Sequence, residues 1–433
     1  MSAQLLQLGI LMGAFLALLA LGVPVFFSMG LAALVTILAS DGQVPLNVLA
    51  SSLVQGIDSF AFLAIPFFFL AGELMNIGGI TRRLLDFAAS LVGHVRGGMS
   101  HVAIFASMVF SGVSGSAVAD ASAIGSALIP AMKKQGYSPE YAAAVVAAAS
   151  TMGPIIPPSI AFVVYALVTE VSIGRLFLAG AVPGLLMGVW LLGTASWIAH
   201  RRGYPYSPRA SFARIARSFR DALLALAMPA IILGGIVGGV VTPTEAGVVA
   251  VIYAAAVGGL VYRELSLRDL WRITVKSMLD SGLILLMVAA SGIFSWLVAN
   301  MAIGQGLVAL FASLTDSRWV MLVIINAFFL VWGLALEPAV ALVTLAPLLV
   351  PLANAYQIDL VHLGVVIVLN LMIGQLTPPS GVVTFLTAQL AGAPIAGVFR
   401  EAVPFTLALI AVLALITFVP ALALWLPTLL MGP

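Results

Sequence analysis

The run Ser111-Gly112-Val113-Ser114-Gly115-Ser116-Ala117-Val118-Ala119-Asp120 interrupts a long apolar segment with three serines, two glycines and an aspartate. Glycine raises the cost of a helix, and hydroxyls compete for its backbone hydrogen bonds. At bilayer depth, irregular backbone persists only where it is buried in protein or lines a cavity, because lipid cannot satisfy free N–H and C=O groups. The run therefore reads as the tip of a re-entrant helical hairpin over 99–132. A second interruption, Met152-Gly153-Pro154-Ile155-Ile156-Pro157-Pro158-Ser159, breaks the apolar segment 138–168.

Both interruptions recur. An offset of 221 carries Gly112 to Gly333, Pro130 to Pro351, Gly153 to Gly374, Pro157-Pro158-Ser159 to Pro378-Pro379-Ser380 and Ala181-Val182-Pro183 to Ala402-Val403-Pro404. So many matches in one register define an internal repeat. The first half is 1–221. The second is 222–433, with a hairpin over 319–355 and a broken span over 361–390.

Hydrophobic residues make up 62% of the 433 and charged residues 8%, with a mean hydropathy of +1.19. That is too little polar surface for a protein wetted on all sides, so the chain reads as a polytopic membrane protein. At about 20 residues per crossing, its apolar segments supply about ten transmembrane helices besides the two hairpins, an all-α fold. The lack of cysteine removes disulfides and thiolate chemistry. Met1-Ser2-Ala3-Gln4 carries no basic run, so no cleaved leader is expected. Two stretches, 81–98 and 263–280, mix arginines with an apolar face, the pattern of helices lying in the membrane surface. They are expected to mirror each other.

On this map 16 of the 18 Lys and Arg fall on one side, and only Arg175 and Arg318 fall opposite. The positive-inside rule makes the crowded side cytoplasmic. The first hairpin then enters from the cytoplasm and the second from outside. The repeats are inverted, and both termini are expected outside the cytoplasm.

Inverted repeats whose broken helices meet near the midplane are the recurring plan of secondary transporters. Half-helices are expected to begin at Ser116, at Pro158-Ser159, at Pro338 and at Pro379-Ser380, since proline suits the first helical turn and serine the cap. Four partly positive N-termini facing one cavity would hold an anion. The substrate-binding candidates are Ser116, Pro158, Ser159, Pro379 and Ser380. Carbonyl ends of the preceding half-helices, with hydroxyls and carboxylates, suit a hard cation such as Na⁺. The candidates for it are Ser111, Ser114, Asp120, Gly153, Gly333, Glu337, Gly374 and Thr377. Asp120 and Glu337 are acids at a depth where charge costs about 3 kcal/mol or more. Each reads either as a cation ligand or as a cap on a half-helix. Glu73 and Glu245 fall near span ends, where interfacial solvation accounts for them, and His101 reads as structural. No Lys or Arg falls at midplane depth, so an anion would rest on backbone N–H groups, hydroxyls and bound cations.

An enzyme reading competes. Gly112-Val113-Ser114-Gly115 fits the Gly-x-Ser-Gly pattern of intramembrane serine proteases, but a catalytic serine needs a base within hydrogen-bond reach. His101, the near neighbour in sequence, would lie about 20 Å away along one continuous helix.

The run Ala64-Ile65-Pro66-Phe67-Phe68-Phe69-Leu70-Ala71-Gly72-Glu73-Leu74-Met75, taken with Phe110 to Asp120 and Gly153 to Ser159, resembles the large membrane subunit of tripartite ATP-independent periplasmic (TRAP) transporters. The resemblance covers nearly the whole chain. It implies an elevator-type secondary transporter with scaffold and transport domains, with Na⁺ as coupling ion, in the bacterial inner membrane. It also implies two protein partners, a small four-helix membrane subunit and a periplasmic substrate-binding protein, within membrane lipid and without nucleic acid. The family moves C4-dicarboxylates, sialic acid and other organic acids. The alternative transporter reading is a binding-protein-independent Na⁺/carboxylate symporter of the same superfamily.

Overall fold

The computed structural model describes residues 3–40, 44–206, 208–334, 336–379 and 381–432, and among them every regular element is helical. The chain opens with α1 (Ala3–Ala20) and α2 (Val25–Leu38), an antiparallel pair turned at Gly22, whose φ of 81° is left-handed. Next come α3 (Asn47–Gln55), α4 (Ala64–Ile77) and α5 (Ile80–Val92). The first hairpin is α6 (Gly98–Ser114) and α7 (Ala117–Lys134), and the first broken span is α8 (Pro139–Ser150) and α9 (Ile160–Thr169). After α10 (Ile173–Arg202) come α11 (Phe212–Val237), α12 (Pro243–Ala256), α13 (Leu267–Asn300) and α14 (Ile303–Ala312). The second hairpin is α15 (Arg318–Gly333) and α16 (Pro338–Ala355), the second broken span α17 (Leu360–Gly374) and α18 (Val382–Ala391), and the chain ends with α19 (Ile395–Phe418) and α20 (Ala421–Met431). Among the described residues, 7 helical segments are long and apolar enough to cross a membrane, and several helices of the hairpins and broken spans are shorter.

The repeat is visible in the elements. The offset of 221 carries α7 onto 338–355, the bounds of α16, and α5 onto the place of α14. At the open end of the first hairpin, Lys133 Nζ donates to the Ala391 carbonyl at the end of α18 (2.8 Å). On the other side, Tyr165 Oη in α9 donates to the Leu360 carbonyl at the start of α17 (2.8 Å). The two broken spans therefore run antiparallel, the arrangement that inverted repeats require.

Packing divides the helices into two groups. One comprises α1 to α4 with α11 to α13; the other comprises both hairpins, both broken spans, α10 and α19. In the second group α8 is enclosed from Tyr141 and α17 from Val361 onward, and the alanine run of α8 lets its neighbours approach closely. Two short helices join the groups. On α5, Phe87 meets Phe105 of α6 and Phe219 of α11, with ring centroids 6.4 and 5.6 Å away. On α14, Gly304 abuts Pro351 of α16 while Gly306 abuts Gln4 of α1.

One expectation is corrected here. The stretch 263–280 is not the counterpart of 81–98. A capping box between Ser266 and Asp269 starts a helix that continues for 34 residues, so Arg268, Arg272 and Lys276 lie in the first turns of α13. No proline separates them from the apolar sequence that follows, and the single intervening glycine, Gly282, is tolerated inside the helix. The counterpart of α5 is α14.

Candidate substrate and cation site

The first hairpin turns between Ser114 and Ala117. Gly115 holds a left-handed φ of 63°, and its α-carbon faces the Pro158 carbonyl so closely that a Cβ would stand 2.6 Å from that oxygen. The hairpin tip thus sits on the break of the first broken span. Ser116 caps α7 by accepting from the Ala119 N–H (3.4 Å), which places Asp120 in the first turn, where the helix dipole favours a carboxylate.

Asp120 is completely buried and accepts from two hydroxyls, Ser111 Oγ at 2.9 Å and Ser114 Oγ in a closer contact. Gly153, in the break of the span, lies against the same carboxylate: a Cβ there would come within 2.8 Å of Asp120 Oδ2 and 3.0 Å of the Ser116 carbonyl carbon. The structure thereby brings Ser111, Ser114, Ser116, Asp120 and Gly153 together. Their oxygens are hard donors gathered around one carboxyl group, a set able to hold a hard cation.

The second half uses different residues. Glu337 caps α16, its Oε2 accepting from the N–H groups of Ala339 (2.9 Å) and Val340 (3.3 Å). Gly333 and Gly374 stand back to back, and a Cβ on Gly374 would fall 2.2 Å from the Gly333 carbonyl. Thr377 Oγ1 donates to the carbonyls of Ile373 and Gly374 at 3.3 and 3.2 Å. Both Pro-Pro bonds, Pro157-Pro158 and Pro378-Pro379, are cis. The last half-helix starts at Val382 behind Gly381, two residues later than its sequence suggests; Pro379 is exposed, and Ser380 lies outside the described residues.

The two halves meet at a cavity of about 120 Å³. Gly115, Ser116 and Pro154 line it from the first repeat, Glu337, Pro338 and Gln375 from the second, and Phe69 and Ile284 from the other group of helices. Pro158 and Ser159 lie behind it: the Ser159 hydroxyl caps α9 at the Phe162 N–H (3.1 Å) and bonds the Pro154 carbonyl. Among the described residues no lysine or arginine lines the cavity, whereas Glu337 does, with Asp120 buried beside Ser116. The wall therefore offers an organic anion no cationic side chain among the described residues.

Sequence reasoning passed over Gln375. Its side chain is buried, its Nε2 has no hydrogen-bond partner among the described residues, and it faces the cavity. An amide between two break residues at bilayer depth is a signal of the same kind as Asp120. Asn370, also passed over, donates to Asn326 Oδ1 (2.6 Å), and Asn326 donates to Thr417 (3.0 Å), a polar chain through the second half.

Other polar groups have structural roles. His101 bonds the Gly97 carbonyl (3.1 Å) and Ser196 Oγ (2.7 Å), far along α6 from Ser114, whose own partner is a carboxylate. Ser114 therefore has no imidazole base from this histidine. Glu73 pairs with Lys276 (2.6 Å), and Glu245 closes a capping box with Thr242.

Two inverted halves, broken helices and a shared cavity between two groups of spans define a membrane transporter. Over residues 12–422 the sequence matches the family described as the tripartite ATP-independent periplasmic transporter, DctM component, and the chain belongs to that family. It is 41% identical to the Vibrio cholerae sialic acid TRAP transporter large permease protein SiaM, over 96% of this chain and 97% of that one. The Pseudomonas aeruginosa C4-dicarboxylate TRAP transporter large permease protein DctM is 38% identical over 92% of this chain and 93% of its own. The fold is similar to that of the Alcanivorax borkumensis YdaH transporter, with a TM-score of 0.66 and 16% identity over 90% of this chain and 91% of that one.

Proposed function

We propose that this chain is the permease of a Na⁺-coupled uptake system for an organic acid in a bacterial cytoplasmic membrane, working with a small membrane subunit and a periplasmic binding protein. One observation supports the reading: the cavity built from both repeats has Glu337 on its wall and Asp120 buried behind it, and no basic residue lines it among the described residues. A carboxylate substrate would bind there only together with cations, which is coupling in its simplest form. Ser111, Ser114, Asp120 and the backbone at Gly153 hold one cation, and the first turns of α7 and α16 face the substrate. The sialic acid and C4-dicarboxylate relatives indicate the substrate class. Two Na⁺ entering with one monoanion carry one net charge, which gains about 2.3 kcal/mol per 100 mV of membrane potential.

The test is uptake into proteoliposomes holding this chain and the small subunit, with the cognate binding protein outside. Uptake that requires an inward Na⁺ gradient and rises with an inside-negative potential is expected. Equal uptake in choline medium would refute the coupling, and full uptake by this chain alone would establish the binding-protein-independent reading instead.

A further inference from the structure

At the cytoplasmic end of the molecule, away from the central site, α5 and α11 enclose an open cavity of about 800 Å³. Five arginines line it: Arg82 and Arg83 from α5, and Arg214, Arg217 and Arg220 from α11. The acids on the same wall are Asp86, Asp221 and Glu264. Arg83 is already committed. It pairs with Glu264 (2.9 Å), donates to the Gly79 carbonyl (2.6 Å) and stacks on Tyr262 at 3.6 Å, while Tyr262 Oη donates to the Asp221 carbonyl (3.0 Å). The other four arginines form no ion pair among the described residues. Against Asp86 and Asp221 they leave the wall with a net charge of +2.

Depth identifies what would neutralise it. Arg214, Arg217 and Arg220 occupy two turns at the cytoplasmic end of a membrane-spanning helix, and Leu224, on the cavity wall one turn deeper, begins its apolar part. Phe219, Leu223, Leu260 and Val261 beside them are exposed, with fractions of 45%, 48%, 76% and 59%. Guanidinium groups at headgroup depth above an exposed apolar flank match a lipid, with a phosphate for the forks and acyl chains for the flank. A soluble phosphate would use the arginines and leave the flank bare.

We propose that this cavity binds the phosphodiester of an anionic phospholipid, clasped by Arg82 from α5 and by Arg214, Arg217 and Arg220 from α11. Because α5 bridges the two groups of helices, the bound headgroup ties that bridge to α11. The proposal stands on the cavity alone and does not depend on Na⁺ coupling or substrate.

Native mass spectrometry of the purified full chain, titrated with phosphatidylglycerol or with phosphatidylethanolamine, tests it. At least tenfold preference for phosphatidylglycerol is expected, undiminished by 10 mM inorganic phosphate. The triple variant Arg214→Gln, Arg217→Gln, Arg220→Gln should lose that preference, while Arg201→Gln with Arg209→Gln, outside the cavity, should keep it. Equal retention of the two lipids, displacement by phosphate, or an unchanged triple variant would overturn the proposal. Should the triple variant fail to fold, wild-type protein decides: a photoreactive phosphatidylglycerol should label 219–224 and 260–262, and labelling confined to other regions contradicts the site.

Discussion

Asp120 and Glu337 are both acids beside hairpin tips, yet the structure gives them different work. Asp120 sits among hydroxyls, and Glu337 holds the N–H groups of its own helix. Asp120→Ala removes the charge around which Ser111, Ser114 and Gly153 are arranged. The apparent affinity for Na⁺ in uptake should fall about tenfold or more, the equivalent of about 1.4 kcal/mol, in a protein that still folds. Glu337→Ala should also weaken Na⁺-coupled uptake, and in addition cost about 1 kcal/mol of stability through the lost cap. Glu337→Gln retains an oxygen cap and separates the two effects. Wild-type Na⁺ dependence in either purified alanine variant would remove that residue from the ion site. The sequence exposed Asp120 and the glycines because charge and flexible backbone are conspicuous in an apolar run. Gln375 carries a quieter signal, an uncharged amide, and only the fold places it on the wall it shares with Ser116 of the other repeat.

At the scale of elements, the register of the repeat was readable because proline and glycine punctuate both halves at one spacing, and α7 and α16 fall in equivalent positions. The bridging helix of the second half was not. Residues 303–312 carry no charge, whereas α5 is basic, which is what the positive-inside rule predicts for two helices that inversion would put on opposite sides of the membrane. Charge pattern pointed to 263–280 instead; the offset pointed to α14. Inversion has a direct consequence for labelling. With no native cysteine as background, Leu21→Cys in the α1–α2 turn should react with an impermeant maleimide only from the cytoplasmic side, and Asp58→Cys only from outside. The reverse pattern would turn the whole assignment over and place the basic loops outside.

For the molecule as a whole, the central claim is that the hairpins and broken spans move as one body against α1 to α4 and α11 to α13. The cavity is built almost wholly from the hairpins and broken spans, with Phe69 and Ile284 as its facing wall, so on this account carrying the site across the membrane requires sliding along that wall. The two groups also touch where Thr344 of α16 lies against Met29 of α2, with Oγ1 and Sδ 3.7 Å apart. The most direct test is the double variant Met29→Cys, Thr344→Cys, bridged by mercuric ion and assayed in proteoliposomes. Complete bridging should abolish uptake while Na⁺ still binds from one side, and a thiol reductant should restore transport. Uptake at the full rate with the bridge complete would contradict the moving-body account.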